Sequence, residues 1–257
     1  TAIVEVPEEA LAYGELIGEA ISSVNRRLKA VYAKTGAVHG DYRVPELKLI
    51  WGEDVDYTVY KEYGLRFIVN PRRVYVNPSL AGEHRRVADQ VSEGEVVIDM
   101  FSGIGGFSLN IAARRRTLVY AVDINPEAVR CLLLSIGLNS GKLKGDLVVI
   151  RGDSAVVVPT LLEGVADRVI MNLPHSSHKF IPYALRGLKE DGGVVHYYRV
   201  ASSPTEVVLE LIHGVSSSGG RVIAVSYVGK ALEVAPYTYV YVVDAYVTPR
   251  HSYEHDV

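Results

Sequence analysis

Beyond about residue 92 the chain settles into an alternation that few folds can accommodate. Seven apolar runs follow one another: VVIDMF, VYAVDI, LVVIRGD, RVIMNLP, VVHYYRV, RVIAVSYV and YTYVYVVDAYV. Most are continuous rather than alternating, as in strands buried on both faces. Helical spacing fills the gaps at residues 106–115, 126–138, 178–188 and 204–217, and more weakly at 155–162. Such strand–helix alternation dictates a doubly wound parallel sheet. Only GKALEVAP separates the last two runs. That is too short for a crossover helix, so the final pair is expected to be antiparallel.

Residues 1–92 read differently. Apolar residues at Leu11, Leu16, Ile17, Ala20, Ile21, Val24 and Leu28 predict a helix across residues 7–32. LKLIWG, YTVYKEYG, LRFIVN and VYVNP read as short strands, punctuated by Gly36, Gly40, Gly52, Gly64 and Pro71. A helix is expected over residues 81–91. The pattern therefore predicts a smaller α+β domain over residues 1–92, on the RNA side, and a catalytic α/β domain over residues 93–257. No apolar run reaches the ~20 residues of a membrane helix. One cysteine in 257 residues excludes an internal disulfide and a Cys-based zinc cluster, and points to a reducing cytoplasm. The histidines show no ligand spacing, so no metal site is expected. The net charge of -3 argues against a general nucleic-acid coat, not against an enzyme gripping one RNA locally.

The chemistry is concentrated at the ends of the first four runs. DMFSGIGG contains Asp99, Phe101, Gly103 and Gly105, a glycine-rich turn that lets a ligand approach the backbone. About 20 residues on, AVDINP carries Asp123 and Ile124, where an acidic side chain accepts from ribose hydroxyls. Asp123 could instead cap the next helix, but Asn125 can do that itself. RGDS places Asp153 within reach of an adenine amino group. Their conjunction predicts an S-adenosylmethionine site. Six parallel strands with an antiparallel last one match the class I methyltransferase arrangement rather than that of a dinucleotide dehydrogenase. The fourth run ends in NLPHSSHKF, whose Asn172 and Pro174 form the Asn-x-Pro of methyltransferases acting on ring nitrogens.

The chain resembles the archaeal and eukaryotic tRNA guanosine-37 N1-methyltransferase family. The resemblance runs through KTGAVHGDYRVPELKLIWGE, YKEYGLRF, RVYVNPSLAGEHRRVADQV, VIDMFSGIGGFSL, VYAVDINPEAV, ADRVIMNLPHSSHKFI, GGVVHYY and VAPYTYVYVVDAYV. It implies a methyltransferase with S-adenosylmethionine as cofactor and the tRNA anticodon stem-loop as partner, expected to act as a monomer. No counterpart of the family's extra N-terminal domain is found, leaving a truncated chain or a short member. The resemblance implies Glu83 as general base, Arg66 as the contact to guanine O6, and Asn172 and Pro174 as the frame of the base. Guanine N1 holds a proton, so such chemistry needs a base there and charge stabilisation at O6. Glu83 has a plain alternative as a solvent-facing glutamate in a first helical turn. Arg72, Arg73, Arg85 and Arg86 are the candidate RNA contacts. Ser79 and His84 stand where the family usually has arginines. Two other functions fit the same motifs. One is the related aminocarboxypropyl transfer of wybutosine synthesis; the other is a non-catalytic RNA-binding protein.

Overall fold

The computed structural model describes residues 1–36 and 46–249; residues 37–45, with Gly40, lie outside the described residues. Strand β1 (Ala2–Glu5) leads through a 3-10 turn (Glu8–Tyr13) into helix α1 (Gly14–Val24). Strands β2 (Ala30–Lys34) and β3 (Leu47–Gly52) complete a small sheet, with β2 central, parallel to β1 and antiparallel to β3. The helix α1 lies on this sheet, close enough that a Cβ on Gly18 would stand 2.2 Å from that of Trp51. The single helix predicted over residues 7–32 is therefore corrected: it ends at Val24, and Tyr32 belongs to a buried strand. The run AVYAK is apolar without a period, and its state is decided by distant partners in β1 and β3.

Strands β4 (Thr58–Glu62) and β5 (Leu65–Val69) form a hairpin. Its two-residue loop holds Tyr63 at φ 44° and Gly64 at φ 83°, the left-handed pair that a tight hairpin turn needs. Leu65, Phe67 and Val69 are buried with Leu109, Cys131 and Leu132 of the neighbouring helices. VYVNP, read from sequence as a strand, is not one. Asn77 instead accepts from the Ser79 amide and caps a 3-10 turn (Pro78–Leu80) that runs into α2 (Ala81–Gln90).

The large sheet is built from β6 (Val96–Asp99), β7 (Leu118–Asp123), β8 (Asp146–Arg151), β9 (Arg168–Met171), β10 (Gly193–Ala201), β11 (Arg221–Ala235) and β12 (Thr238–Thr248). Helices α3 (Gly106–Arg114), α4 (Pro126–Asn139), α5 (Ser154–Leu161), α6 (Ile181–Gly187) and α7 (Pro204–Ser217) link its first six strands. The order is β8-β7-β6-β9-β10-β12-β11, with β12 antiparallel to both neighbours and the other adjacent pairs parallel. The class I methyltransferase arrangement read from the sequence is the one observed. Strand β11 extends through GKALEVA, past the predicted run, and keeps its pairing with β12 through four register shifts. The strand order reverses between β6 and β9, and the crevice above such a point receives ligands in open α/β sheets. No helix among the described residues is long and apolar enough to cross a membrane.

Candidate active site

The crevice begins at the end of β6. Asp99 is fully buried, and its Oδ2 accepts from Ser108 Oγ at 2.6 Å. Its Oδ1 is buried without a hydrogen-bond partner. Burial pushes the carboxyl up to about 6, against the hydrogen bond from Ser108. The turn that follows needs glycine at Gly105, whose φ is 90° and whose Cβ would stand 2.3 Å from Leu132 Cδ1. The Gly103 amide donates to Asp123 at 2.7 Å, and the Asn125 amide donates to its other oxygen at 2.8 Å. Asn125 itself caps α4, leaving the remaining lone pairs of Asp123 for a ligand. Burial raises the Asp123 carboxyl above its ordinary value. Asp153 caps α5 with one oxygen, accepting from the Ala155 amide at 2.8 Å.

These strand ends enclose a cleft of about 600 Å³ lined by Phe101, Gly103, Asp123, Ile124, Asp153 and Asn172, with Tyr75, Lys179 and Phe180. Phe101 meets Phe180 edge-on at 4.8 Å, and Ile124 presents exposed apolar surface. Together they suit the faces of a flat ring beside ribose acceptors.

A second, smaller chamber of about 160 Å³ adjoins the cleft. Tyr75, Phe101, Gly103 and Asn172 line both. Pro174, Phe67, Asn77 and Leu80 complete much of its apolar wall. Its polar wall is Glu62, Tyr60 and His84. Glu62 is buried and accepts from Asn110 Nδ2 at 2.7 Å and Tyr60 OH at 3.1 Å. His84 Nδ1 lies 3.1 Å from each Glu62 oxygen. The loop Asn172–Leu173–Pro174 is braced from beneath: Ser177 Oγ donates to the Met171 carbonyl and accepts from the Leu173 amide. Arg199 also donates to the Pro174 and His175 carbonyls.

The structure thus gathers Phe101, Gly103, Asp123, Ile124, Asp153, Asn172 and Pro174 around one pair of chambers, with Asp99 and Gly105 beneath. Glu83 and Arg66 line neither. Glu83 turns to the opposite side of α2, where its carboxylate accepts from Arg86 Nε and Nη2 and from Tyr198 OH at 2.5–2.8 Å. Arg66 falls on the outer face of β5, because Leu65, Phe67 and Val69 face inward. Its guanidinium donates to the Leu138 carbonyl at the end of α4. Arg72, Arg73 and Arg85 are exposed, and Arg72 pairs with Asp54 at 3.0 Å. Arg86 points inward, between Glu83 and Asp244. Glu62, Tyr60 and Asn110 are polar chamber and second-layer residues that sequence reasoning did not single out. Alternation along β4, which puts Tyr60 and Glu62 on one face, is the available signal.

The sheet order, with β12 reversed and the ligand crevice above β6, defines a class I methyltransferase domain. Residues 58–218 match the model of the TRM5/TYW2 methyltransferase domain and residues 1–55 that of the TYW2 N-terminal domain; the chain belongs to this family. It is 44% identical over 197 residues to the tRNA (guanine(37)-N(1))-methyltransferase Trm5b of Pyrococcus abyssi, covering 77% of this chain and 57% of that protein. The crystal structure of Trm5b from Pyrococcus abyssi superposes with a TM-score of 0.83, at 37% identity over 96% of this chain and 72% of the other. The tRNA(Phe) (4-demethylwyosine(37)-C(7)) aminocarboxypropyltransferase of Methanocaldococcus jannaschii is 33% identical over 236 residues, covering 90% of this chain and 92% of that protein.

Proposed function

We propose that this protein transfers a methyl group from S-adenosylmethionine to N1 of guanosine 37 in tRNA, acting as a cytoplasmic monomer on the anticodon stem-loop. The observation that carries the reading is the pair of chambers meeting at Asn172 and Pro174. One has room and acceptors for a nucleoside cofactor, and the other offers an apolar slot with polar groups for a base. Support from relatives comes from the likeness to Trm5b of Pyrococcus abyssi, a tRNA (guanine(37)-N(1))-methyltransferase by name. The single cysteine, Cys131, is buried and free, which suits a reducing compartment.

The residues fit the cofactor. The buried Oδ1 of Asp99 and the remaining lone pairs of Asp123 are acceptors that a ligand can satisfy. When bound, S-adenosylmethionine supplies a sulfonium whose methyl carbon is already electrophilic. Asp123 would hold the ribose, Asp153 the adenine amino group, Ile124 and Phe101 the ring, and the Gly103–Gly105 turn the amino-acid end. Asn172 and Pro174 orient the target base, and the apolar chamber wall excludes water. Arg72, Arg73 and Arg85 are placed to meet phosphates of the stem-loop, while residues 1–55 extend the RNA-side surface.

Asp123→Ala should weaken S-adenosylhomocysteine binding by about 1–3 kcal/mol, the range for losing hydrogen bonds to a charged acceptor. Calorimetry measures this, and unchanged affinity would remove Asp123 from the site. The function itself is tested by incubating the protein with unmodified tRNA transcript and labelled cofactor, then analysing nucleosides by mass spectrometry. N1-methylguanosine at position 37 is expected. A second reading, aminocarboxypropyl transfer, is favoured by the match of residues 1–55 to the TYW2 N-terminal domain. Coverage of 92% of the Methanocaldococcus jannaschii aminocarboxypropyltransferase supports it too. A product from demethylwyosine-containing tRNA that is heavier by an aminocarboxypropyl group would select it.

A further inference from the structure

We infer that His84, held by Glu62, is the group that accepts the guanine N1 proton, an assignment that rests on the methyl-transfer reading above. The argument starts from which carboxylate or imidazole faces the base chamber. Glu83 has three donors on its carboxylate, two from Arg86 and one from Tyr198. Each stabilises the anion and lowers its appetite for a proton, and none of the chamber wall belongs to Glu83. The next residue on α2 faces the other way. His84 lines the chamber, with its ring stacked edge-on to Phe107 at 4.6 Å. It also lies against Gly106, where a Cβ would stand 2.4 Å from His84 Cε1. The ring therefore has little freedom to turn.

Its tautomer follows from its partner. Glu62 already accepts from Asn110 Nδ2 and from Tyr60 OH, so it serves as an ionised acceptor. His84 Nδ1 at 3.1 Å from both of its oxygens must then carry the proton and donate it. Nε2 is left as a lone pair, with no hydrogen-bond partner among the described residues. This is the orientation in which a carboxylate holds an imidazole ready to act as a base. The charged and titratable groups around the ring are Glu62 and Tyr60 from β4 and Asp99 at the end of β6, whose charge interacts with His84. In the step, the N1–H bond breaks and an Nε2–H bond forms. N1 uses the freed pair to bond the methyl carbon, and the departing sulfur keeps the electron pair of its broken bond. The resulting imidazolium is balanced by Glu62.

The test is single-turnover methyl transfer on whole tRNA, with S-adenosylhomocysteine and tRNA affinities measured on the same proteins. His84→Ala should slow transfer by about 10²–10⁴, the range for losing one general base, while both affinities stay near wild type. Added imidazole should restore transfer in proportion to its free-base concentration, which a merely structural role for the ring would not allow. Glu62→Gln, which preserves an acceptor for Nδ1 but removes the counter-charge, should slow transfer less. If the wild-type protein forms no N1-methylguanosine, the functional reading falls and the base assignment with it. If His84→Ala makes N1-methylguanosine at the wild-type rate while Glu83→Gln is slowed, the base assignment alone is overturned. A slowed His84→Ala that imidazole does not rescue overturns it as well.

Discussion

Arg86→Met is expected to destabilise the protein by about 3–5 kcal/mol, the cost of breaking a buried ion pair by removing one partner. Arg86 joins α2 to the large sheet: Nη1 lies 2.5 Å from Asp244 Oδ2 on β12, and Nη2 lies 2.6 Å from Glu83 Oε1. The guanidinium also stacks over the Tyr227 ring at 4.2 Å. Behind it, Asp244 and His196 are fully buried. Arg168 Nη1 lies 2.8 Å from His196 Nε2, and because an arginine can only donate, that nitrogen must be bare. His196 is therefore neutral, with Nδ1–H donating to Asp244 at 2.6 Å, and burial pushes its basicity down in agreement. Without Arg86, Asp244 keeps only His196 and Gln90 as donors, and Glu83 keeps only Tyr198.

A melt checks this directly. At roughly 2–4 °C per kcal/mol for a chain of this size, Tm should fall on the order of 10 °C. An unchanged Tm would show that the network contributes nothing net. The pH dependence supplies a second readout. Burial works to raise the Asp244 carboxyl, but hydrogen bonds from His196 and Arg86 overcome it and hold the group below the ordinary range. Its stabilising contribution is complete above the ordinary value of about 3.9 and fades as acid is added below it. Removing Arg86 should flatten that acid loss.

The same residues explain what could be read from sequence and what could not. Continuous apolar runs such as RVIM and VVHYY declare buried strands by themselves, and the glycine turn with Asp123 and Asp153 marks strand ends that any parallel sheet brings together. The cofactor side was legible because its elements are ordered along the chain. The base side depends on directions that spacing does not carry. Glu83 and His84 are consecutive, yet one faces β10 and the other the chamber, since successive helical residues point about 100° apart. Arg66 bears the right charge on the outer face of β5. Glu62 and His84 are 22 residues apart and meet only because the β4–β5 hairpin packs against α3 and α4. The Val74–Pro78 stretch carries β-branched residues like a strand, but Asn77 and Pro78 commit it to a helix cap.

Asn172→Ala should slow methyl transfer by about 10²–10³, the loss seen when one polar group aimed at developing charge is removed. Asn172 lines both chambers, is half-buried, and its side-chain amide has no hydrogen-bond partner among the described residues. Its backbone position is set independently, because Ser177 and Arg199 brace the loop on either side. Truncating the side chain therefore leaves the loop in place and removes one group that can hold the ring edge while charge moves from N1 toward O6. Transition-state contacts of this kind lower the rate more than ground-state affinity. Single-turnover rates with whole tRNA, set beside S-adenosylhomocysteine affinity, separate the two. An Asn172→Ala enzyme with full rate would mean that the base is oriented by Pro174 and the apolar wall alone. A loss confined to cofactor affinity would place Asn172 with Asp123 on the cofactor side.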